Sequence, residues 1–308
     1  MAEKKKESAG RTHGMDLLNG PIFQKYIMFI LPLAFGYILQ LFFNAADIIV
    51  VGRFAGAESL AAVGSTTALV ALYLNIYVGI AAGVNLEVAG AYATGNETKV
   101  SGIVHTAMGL ALALGALFLA AGLLTVRPML VLTGSPDDII GLSALYLNIW
   151  CFGLPASIIY NFGAAILRSI GDTQRPMYYL IAAGILNCVL NVVSVVIFHM
   201  GVAGVAIATA ASGWLSAALV VYALLTEDSC LRLEPRRINL DRTAAAGILR
   251  HGIPIAVQNS LFSVPNIMIQ SSVNSFGSVY MAGMPPPRVW RASRLLSCPP
   301  TAPPRQPS

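Results

Sequence analysis

The chain has 308 residues, of which 56% are hydrophobic and only 11% are charged. Its mean hydropathy of +0.71 excludes an ordinary soluble domain. The net charge of +5 comes from residues outside the long apolar runs, so no basic face forms and no nucleic acid partner is expected. The four cysteines share no short spacing, which favours a packing role over a metal or redox role.

Long apolar stretches follow a polar N-terminal tail, residues 1–20, which is predicted to be cytoplasmic. Six stretches reach the ~20 residues that a helix needs to cross a bilayer. They are residues 26–51, 60–92, 102–126, 139–170, 177–199 and 202–225. A seventh stretch, residues 253–280, is more polar but has no acidic or basic side chain. The predicted fold is an all-α membrane protein with a six-helix transporter lobe and a seventh helix.

Residues of low helix preference separate these stretches and predict where the helices end. The predicted turns include Gly52-Arg53, Gly95-Asn96, Arg127-Pro128, Gly171-Asp172 and His199-Met200-Gly201. Pro32 and Pro155 lie inside apolar stretches. We interpret both as kinks within continuous helices, because neighbouring membrane helices can satisfy the freed carbonyl groups.

Positive charge alternates between successive loops and predicts the orientation of the chain. One side carries thirteen basic residues: Lys4, Lys5, Lys6, Arg11, Lys25, Lys99, Arg168, Arg175, Arg232, Arg236, Arg237, Arg242 and Arg250. The other side carries only Arg53 and Arg127. Because Lys and Arg accumulate on the cytoplasmic side, the N-terminus is predicted to be cytoplasmic.

A charged segment, residues 227–250, divides the chain and is predicted to be a cytoplasmic linker. Residues 21–226 before it form the predicted six-helix N-terminal lobe. Residues 251–283 after it are predicted to be the first helix of a truncated second lobe.

A partial internal repeat supports this division. At a shift of 222 residues, Pro32 falls on Pro254 and Asn44 falls on Asn266. Asp47 falls on a residue without charge, so the acidic position is not repeated. Two parallel six-helix repeats would explain the match, because an even number of spans returns the chain to the same side of the membrane.

The last segment, residues 284–308, changes abruptly to a composition rich in Pro, Arg and Ser, which excludes a membrane helix. Two explanations are a natural disordered tail and out-of-frame translation that removes the second half of a longer protein. We favour the frameshift. It predicts that the source DNA, read in another frame beyond the codon for Met284, encodes further hydrophobic segments.

One acidic residue, Asp47, lies well inside the first apolar stretch. A carboxylate at membrane depth costs at least ~2.5 kcal/mol, so its presence indicates a functional role. Gln40, Asn44 and Asp47 are spaced by four and three residues and share one helical face, which is expected to border a polar interior. Removal from water makes a carboxyl group easier to protonate, which suits proton uptake and release near neutral pH. The alternative is that these polar groups only join helices.

Neutral oxygen donors recur at the same spacing in two later stretches, as Asn187, Asn191 and Ser194 and as Thr209, Ser212 and Ser216. Such oxygens suit a hard cation such as sodium, and they could equally hydrogen-bond Asp47. For the asparagines, contact between helices remains an open alternative. The residues predicted to line a substrate cavity are Gln40, Asn44, Asn75, Tyr160 and Asn161.

Three runs of sequence resemble the multidrug and toxic compound extrusion family. The first is Leu31-Pro32-Leu33 through Phe43-Asn44-Ala45-Ala46-Asp47 to Val51-Gly52-Arg53-Phe54, followed by Ala61-Ala62-Val63-Gly64. The second is residues 165–176, which contain Gly171-Asp172-Thr173-Gln174-Arg175-Pro176, and the third is residues 201–209. Together they place the resemblance over about residues 17–283.

The resemblance implies a twelve-helix antiporter of the plasma membrane, built from two six-helix lobes, of which this chain supplies one. It also implies a cation site in the N-terminal lobe at Asp47, Asn187, Asn191 and Thr209, where sodium could bind. Many relatives carry an acid where this chain has Asn191, so we lean towards proton coupling. The expected activity is efflux of cationic or amphipathic drugs in exchange for protons or sodium, impaired by the truncation.

Two other functions remain open. A lipid-linked oligosaccharide exporter of similar plan should show cationic side chains facing its cavity, and only neutral and acidic groups are visible there. A non-transporting membrane remnant is the second alternative, since alternating access needs two repeats and the partner lobe is missing. The sequence contains no catalytic motif and no Gly-x-x-x-x-Gly-Lys loop, so we expect neither an enzyme nor a cofactor other than the coupling ion.

Overall fold

The structure is a computed structural model that describes residues 22–275 and residue 277. The predicted tail at residues 1–20 and the predicted frameshifted segment at residues 284–308 lie outside the described residues. The first five helices are α1 (Ile22–Val50), α2 (Ala57–Ala93), α3 (Glu97–Leu132), α4 (Ile140–Cys151) and α5 (Leu154–Ser169). The following helices are α6 (Gln174–Val192), α7 (Gly201–Leu225), α8 (Arg242–Leu261) and α9 (Ser263–Asn274).

Membrane-length helices dominate this architecture. By length and composition, α1, α2, α3, α6 and α7 can each cross a bilayer, and α4 with α5 forms a sixth span bent by 45°. The predicted all-α membrane fold is therefore confirmed. Within the described residues, α8 and α9 do not reach the apolar length of the other spans.

The helix ends differ from the predicted turns at two places. α1 continues through Gly52-Arg53 as a π-helical turn, Val51–Ala55, and stops at Gly56, whose φ of 87° favours glycine. α3 continues through Pro128 to Leu132 and ends just before Gly134, which also has positive φ. The sequence placed both ends too early because a Gly or Pro inside a membrane helix can be accommodated by its neighbours.

Pro155 does not form the kink in a continuous helix that the sequence predicts. The helix stops at Cys151 and resumes at Leu154. Proline has no N–H to donate to the carbonyl four residues earlier, which here belongs to Cys151. Pro265 stands in the same relation to the end of α8. Pro32 lies within α1, which is continuous as predicted, and the kink there stays a prediction.

The helix after the linker begins at Arg242, well before residue 253, and it lies against α2. Asp241 caps its N-terminus by accepting a hydrogen bond from the N–H of Thr243 at 3.0 Å. A Cβ atom at Gly79 or Gly83 on α2 would overlap the backbone of α8. The two glycines therefore allow the backbones of α2 and α8 to touch.

The buried core lies mainly between α2, α3, α5 and α7. Its largest fully buried side chains include Phe162 and Ile166 on α5 and Leu224 on α7. α1 lies at the edge of this core and contacts the lobe chiefly through α6. The placement of Asp47 on α1 consequently depends mostly on one pair of helices.

Candidate functional site

A close contact between Phe43 on α1 and Gly184 on α6 fixes the level at which these helices meet. A Cβ atom at Gly184 would overlap the Phe43 ring, so the ring occupies space that only glycine leaves free. One turn after Phe43 comes Asp47, and one and two turns after Gly184 come Asn187 and Asn191. The contact thus brings the carboxyl group to the polar face of α6.

Four polar side chains from three helices form one hydrogen-bonded row. The Asn191 amide on α6 donates both to the carboxylate of Asp47 on α1 and, at 3.2 Å, to Asn187 Oδ1. Asn187 Nδ2 in turn donates to Thr209 Oγ1 on α7 at 3.5 Å, and that hydroxyl donates to the Val205 carbonyl at 3.0 Å. The row therefore connects α1, α6 and α7 at one level of the lobe.

Burial is greatest at the two asparagines in the middle of this row. Asp47 is partly buried, whereas Asn187 is 6% exposed and Asn191 is 1% exposed. Because α1 continues to Ala55, Asp47 lies nine residues before Gly56, roughly 13 Å below the end of the helix.

One buried atom of the site has no hydrogen-bond partner among the described residues, and it is Asn191 Oδ1. A buried amide oxygen without a donor is costly, by about 1–3 kcal/mol. It can be satisfied by a cation or by a proton-bearing group. The row offers oxygen atoms from one carboxylate, two amides and one hydroxyl, a donor set that suits a hard cation such as sodium. The residues present therefore fit either a proton or a sodium ion.

Two π-helical turns lie next to this row. The π-helical turn that ends α1 contacts a second π-helical turn, Val193–Ile197, which begins just after Asn191. Such turns are rare and frequently occur at functional sites. Sequence analysis missed Phe43, because a single aromatic residue in an apolar span has the pattern of an ordinary packing residue.

The serines that were predicted as oxygen donors, Ser194, Ser212 and Ser216, are not part of the hydrogen-bonded row. Ser212 donates to the Thr209 carbonyl at 2.9 Å and Ser216 donates to the Gly213 carbonyl at 2.8 Å, both within α7. Ser194 is buried in the π-helical turn after α6. The hydroxyl groups of Ser212 and Ser216 therefore satisfy their own helix, which is the usual behaviour of Ser in membrane helices.

The five predicted cavity residues are dispersed over the lobe. Gln40 and Asn44 are exposed on α1, on the same helix as Asp47. Asn75 donates to Ser263 Oγ at 2.6 Å and joins α2 to α9. Tyr160 donates to the Pro176 carbonyl at 2.9 Å, and Asn161 donates to the Ser157 carbonyl at 2.8 Å within α5. Their role in a cavity stays a prediction.

A second polar cluster lies at the opposite ends of α6 and α7. Arg175, at the start of α6, pairs with Asp172 in the preceding turn and with Glu227 just after α7, the latter at 2.6 Å. Both acids are almost fully buried, at 4% and 6% exposed. Asp172 and Arg175 belong to the Gly-Asp-Thr-x-Arg-Pro run, and the structure shows that its charges tie α6 to the end of α7.

Comparisons with known proteins agree with this architecture. Residues 32–193 match the MatE family model. The chain is 27% identical over 264 residues to the "Probable multidrug resistance protein YoeA" of Bacillus subtilis (strain 168), covering 83% of this chain and 57% of that protein. It is 26% identical over 273 residues to the "Probable multidrug resistance protein YpnP" of the same organism, covering 87% and 60%. The chain thus spans about three fifths of the length of these relatives.

The fold also matches solved structures. The structure of a MOP superfamily transporter from Pyrococcus furiosus Vc1 (DSM3638) aligns with a TM-score of 0.81 at 24% identity. The alignment covers 93% of this chain and 63% of that one. At this level of identity the likeness shows a shared arrangement of helices.

Proposed function

The chain belongs to the MatE family, and from this membership we propose that it contributes one lobe of a secondary active exporter of cationic or amphipathic drugs. Family members are multi-pass membrane transporters of the multidrug efflux type and not enzymes, so the predicted family and the predicted membrane class are confirmed. The substrate class, the coupling ion and the activity of this chain are parts of the proposal.

The observation that carries the proposal is the buried row from Asp47 through Asn191 and Asn187 to Thr209. A partly buried carboxylate that is linked to neutral amides is stable in two forms, ionised and protonated. The site can therefore take up and release a positive charge, which is what an ion-coupled exporter requires of its coupling site.

Proton exchange at Asp47 would change the direction of the hydrogen bonds in this row. The ionised carboxylate accepts from Asn191 Nδ2, as the structure shows. A protonated Asp47 becomes a donor, and the unpartnered Asn191 Oδ1 is the acceptor nearest to it along the row. Rotation of the Asn191 amide would let Oδ1 accept a hydrogen bond from the protonated carboxyl group. The hydrogen bonds of Asn187 and Thr209 would then change direction in turn. The charge of Asp47 on α1 would in this way affect α7.

Sodium would use the same oxygen atoms and compete with the proton for Asp47. The carboxylate supplies the single negative charge of the row, because Asn191 is neutral. Proton coupling therefore fits this chain better than sodium coupling, in which a second acid at position 191 would add electrostatic attraction.

Transport into everted membrane vesicles that contain the chain tests the proposal. With an imposed pH gradient, acid inside, we expect accumulation of a fluorescent lipophilic cation such as ethidium. Asp47→Asn should abolish accumulation, while Glu58→Gln, which also neutralises an acid but at the exposed start of α2, should leave it unchanged. Accumulation by Asp47→Asn at the unmodified rate would remove Asp47 from the mechanism. Absence of gradient-driven accumulation in the unmodified chain would contradict the proposal and favour a non-transporting remnant.

A further inference from the structure

The linker between α7 and α8 lies docked on the lobe. The N–H of Leu233 donates to the Leu224 carbonyl on α7 at 2.9 Å, and the N–H of Glu234 donates to His105 Nε2 on α3 at 3.0 Å. Leu231 and Leu233 are buried at 0% and 4% exposed. Two backbone hydrogen bonds and two apolar anchors therefore hold this segment against the ends of α3 and α7.

His105 can hold the linker in this way only with one arrangement of its ring protons. Its Nδ1 lies 2.7 Å from the Ser101 carbonyl, which can only accept, so Nδ1 carries the proton. Nε2 is then free to accept from Glu234. His105 is 5% exposed, so this contact is protected from water.

The docked linker borders an open cavity of about 530 Å³ beside the end of α7. Its lining consists of Leu225, Arg232, Leu233, Glu234, Pro235 and Arg236. Leu225 is the last residue of the α7 membrane span. The cavity therefore lies where a membrane helix ends, at the level of lipid headgroups.

The charges around the cavity leave an excess of unpaired arginine. The Glu234 carboxylate pairs with Arg237 Nε at 2.9 Å, and the nearby Glu227 pairs with Arg175. Within the described part of the chain, Arg232 and Arg236 form no ion pair, and both are exposed. The guanidinium groups of Arg232 and Arg236 therefore border the cavity without an acidic partner. The acid of the cavity, Glu234, is already paired with Arg237.

We propose that this cavity binds the phosphate headgroup of an anionic phospholipid in the leaflet on the linker side. Guanidinium groups bind phosphate oxygen atoms in pairs of hydrogen bonds, which gives Arg an advantage at such sites. Leu225 borders the cavity and the exposed ring of Tyr222 lies one turn earlier on α7, so acyl chains can lie along this helix end. The high count of basic residues on this side fits attraction to an anionic surface.

The test measures lipid bound to the purified chain in detergent by native mass spectrometry. Phosphatidylglycerol is compared with phosphatidylcholine of the same acyl chains, and the unmodified chain is expected to retain phosphatidylglycerol preferentially. The double variant Arg232→Gln/Arg236→Gln should lose this preference, with binding weakened by roughly tenfold or more. Arg53→Gln/Arg127→Gln, which removes the same charge from the other side, is the matched control and should bind as the unmodified chain does.

Several results would overturn the proposal. They are equal retention of the two lipids by the unmodified chain, an unchanged preference in the Arg232/Arg236 variant, or the same loss in the Arg53/Arg127 control. Glycerol 3-phosphate is the probe for a soluble phosphate ligand. If it displaced the lipid at equal concentration, the site would bind free phosphate compounds and the lipid assignment would be wrong.

A second variant tests whether the docked linker forms the site. His105→Phe keeps a buried ring but removes the Nε2 acceptor for Glu234, and both cavity arginines remain. We expect weaker retention of phosphatidylglycerol at an unchanged helical content. Retention equal to that of the unmodified chain would show that the arginines bind lipid without the docked arrangement, contrary to the proposal.

Discussion

The side-chain amide of Asn191 donates a hydrogen bond to the carboxylate of Asp47, across 144 positions of the sequence. The same amide donates to Asn187, so one nitrogen serves two acceptors while Asn191 Oδ1 has none among the described residues. This imbalance predicts that the candidate site is sensitive to substitution of Asn191.

Replacement of Asn191 by leucine should destabilise the lobe. The substitution removes both hydrogen bonds from Nδ2 and leaves the Asp47 carboxylate without this donor. We expect a loss of about 1–3 kcal/mol, the range for an unsatisfied buried polar group. Thermal unfolding of the purified protein in detergent, followed by circular dichroism, measures it. Asn44→Leu, an exposed position on α1, is the control and should stay within about 0.5 kcal/mol.

Asn191→Asp should convert the site towards sodium. A second carboxyl group next to Asp47 doubles the negative charge that a cation can neutralise. We expect a sodium-dependent rise in melting temperature of roughly 3 °C or more when potassium chloride is replaced by sodium chloride at saturating concentration. The unmodified chain should show a smaller rise. If both proteins respond equally, the charge at position 191 does not decide the choice of ion.

A side chain at Gly184 should displace α1 from α6. Gly184→Val places methyl groups where the Phe43 ring lies, and such overpacking typically costs about 1–3 kcal/mol. It should also separate Asp47 from Asn191. Adding Phe43→Ala to Gly184→Val should recover part of the lost stability, because the smaller side chain makes room. Loss in the double variant equal to the sum of the two single losses would show that the contact does not set the helix spacing.

We expect Arg175 and Glu227, in the ion cluster at the start of α6, to stabilise the protein mainly through their interaction with each other. Glu227→Gln leaves Arg175 with only Asp172, and we expect a loss of about 1–3 kcal/mol, less than for a fully buried pair because Arg175 is partly exposed. Arg175→Gln should cost at least as much, since it leaves two buried acids. The double variant Arg175→Gln/Glu227→Gln should lose less than the two single losses combined. Exact additivity in thermal unfolding would argue against a direct pair.

The sequence determined the class of protein and the residue types of its candidate site. Composition and the length of the apolar stretches are enough to identify membrane helices, because each span must satisfy its own backbone groups. The spacing of Asp47, and of Asn187 with Asn191, is a property of single helices and could be read without the fold. The family resemblance selected Thr209 from the oxygen donors of α7 and joined these residues into one expected site.

Only the tertiary structure decided which of these groups meet and where helices break. The Phe43 ring at Gly184, the row from Asp47 to Thr209, and the pair of Arg175 with Glu227 each join residues of different helices. Periodicity describes one helix at a time and contains no information about the rotation and height of its neighbour. The break before Pro155 and the continuity through Gly52 have the same origin, because the surrounding helices decide whether a freed carbonyl is satisfied or the helix ends.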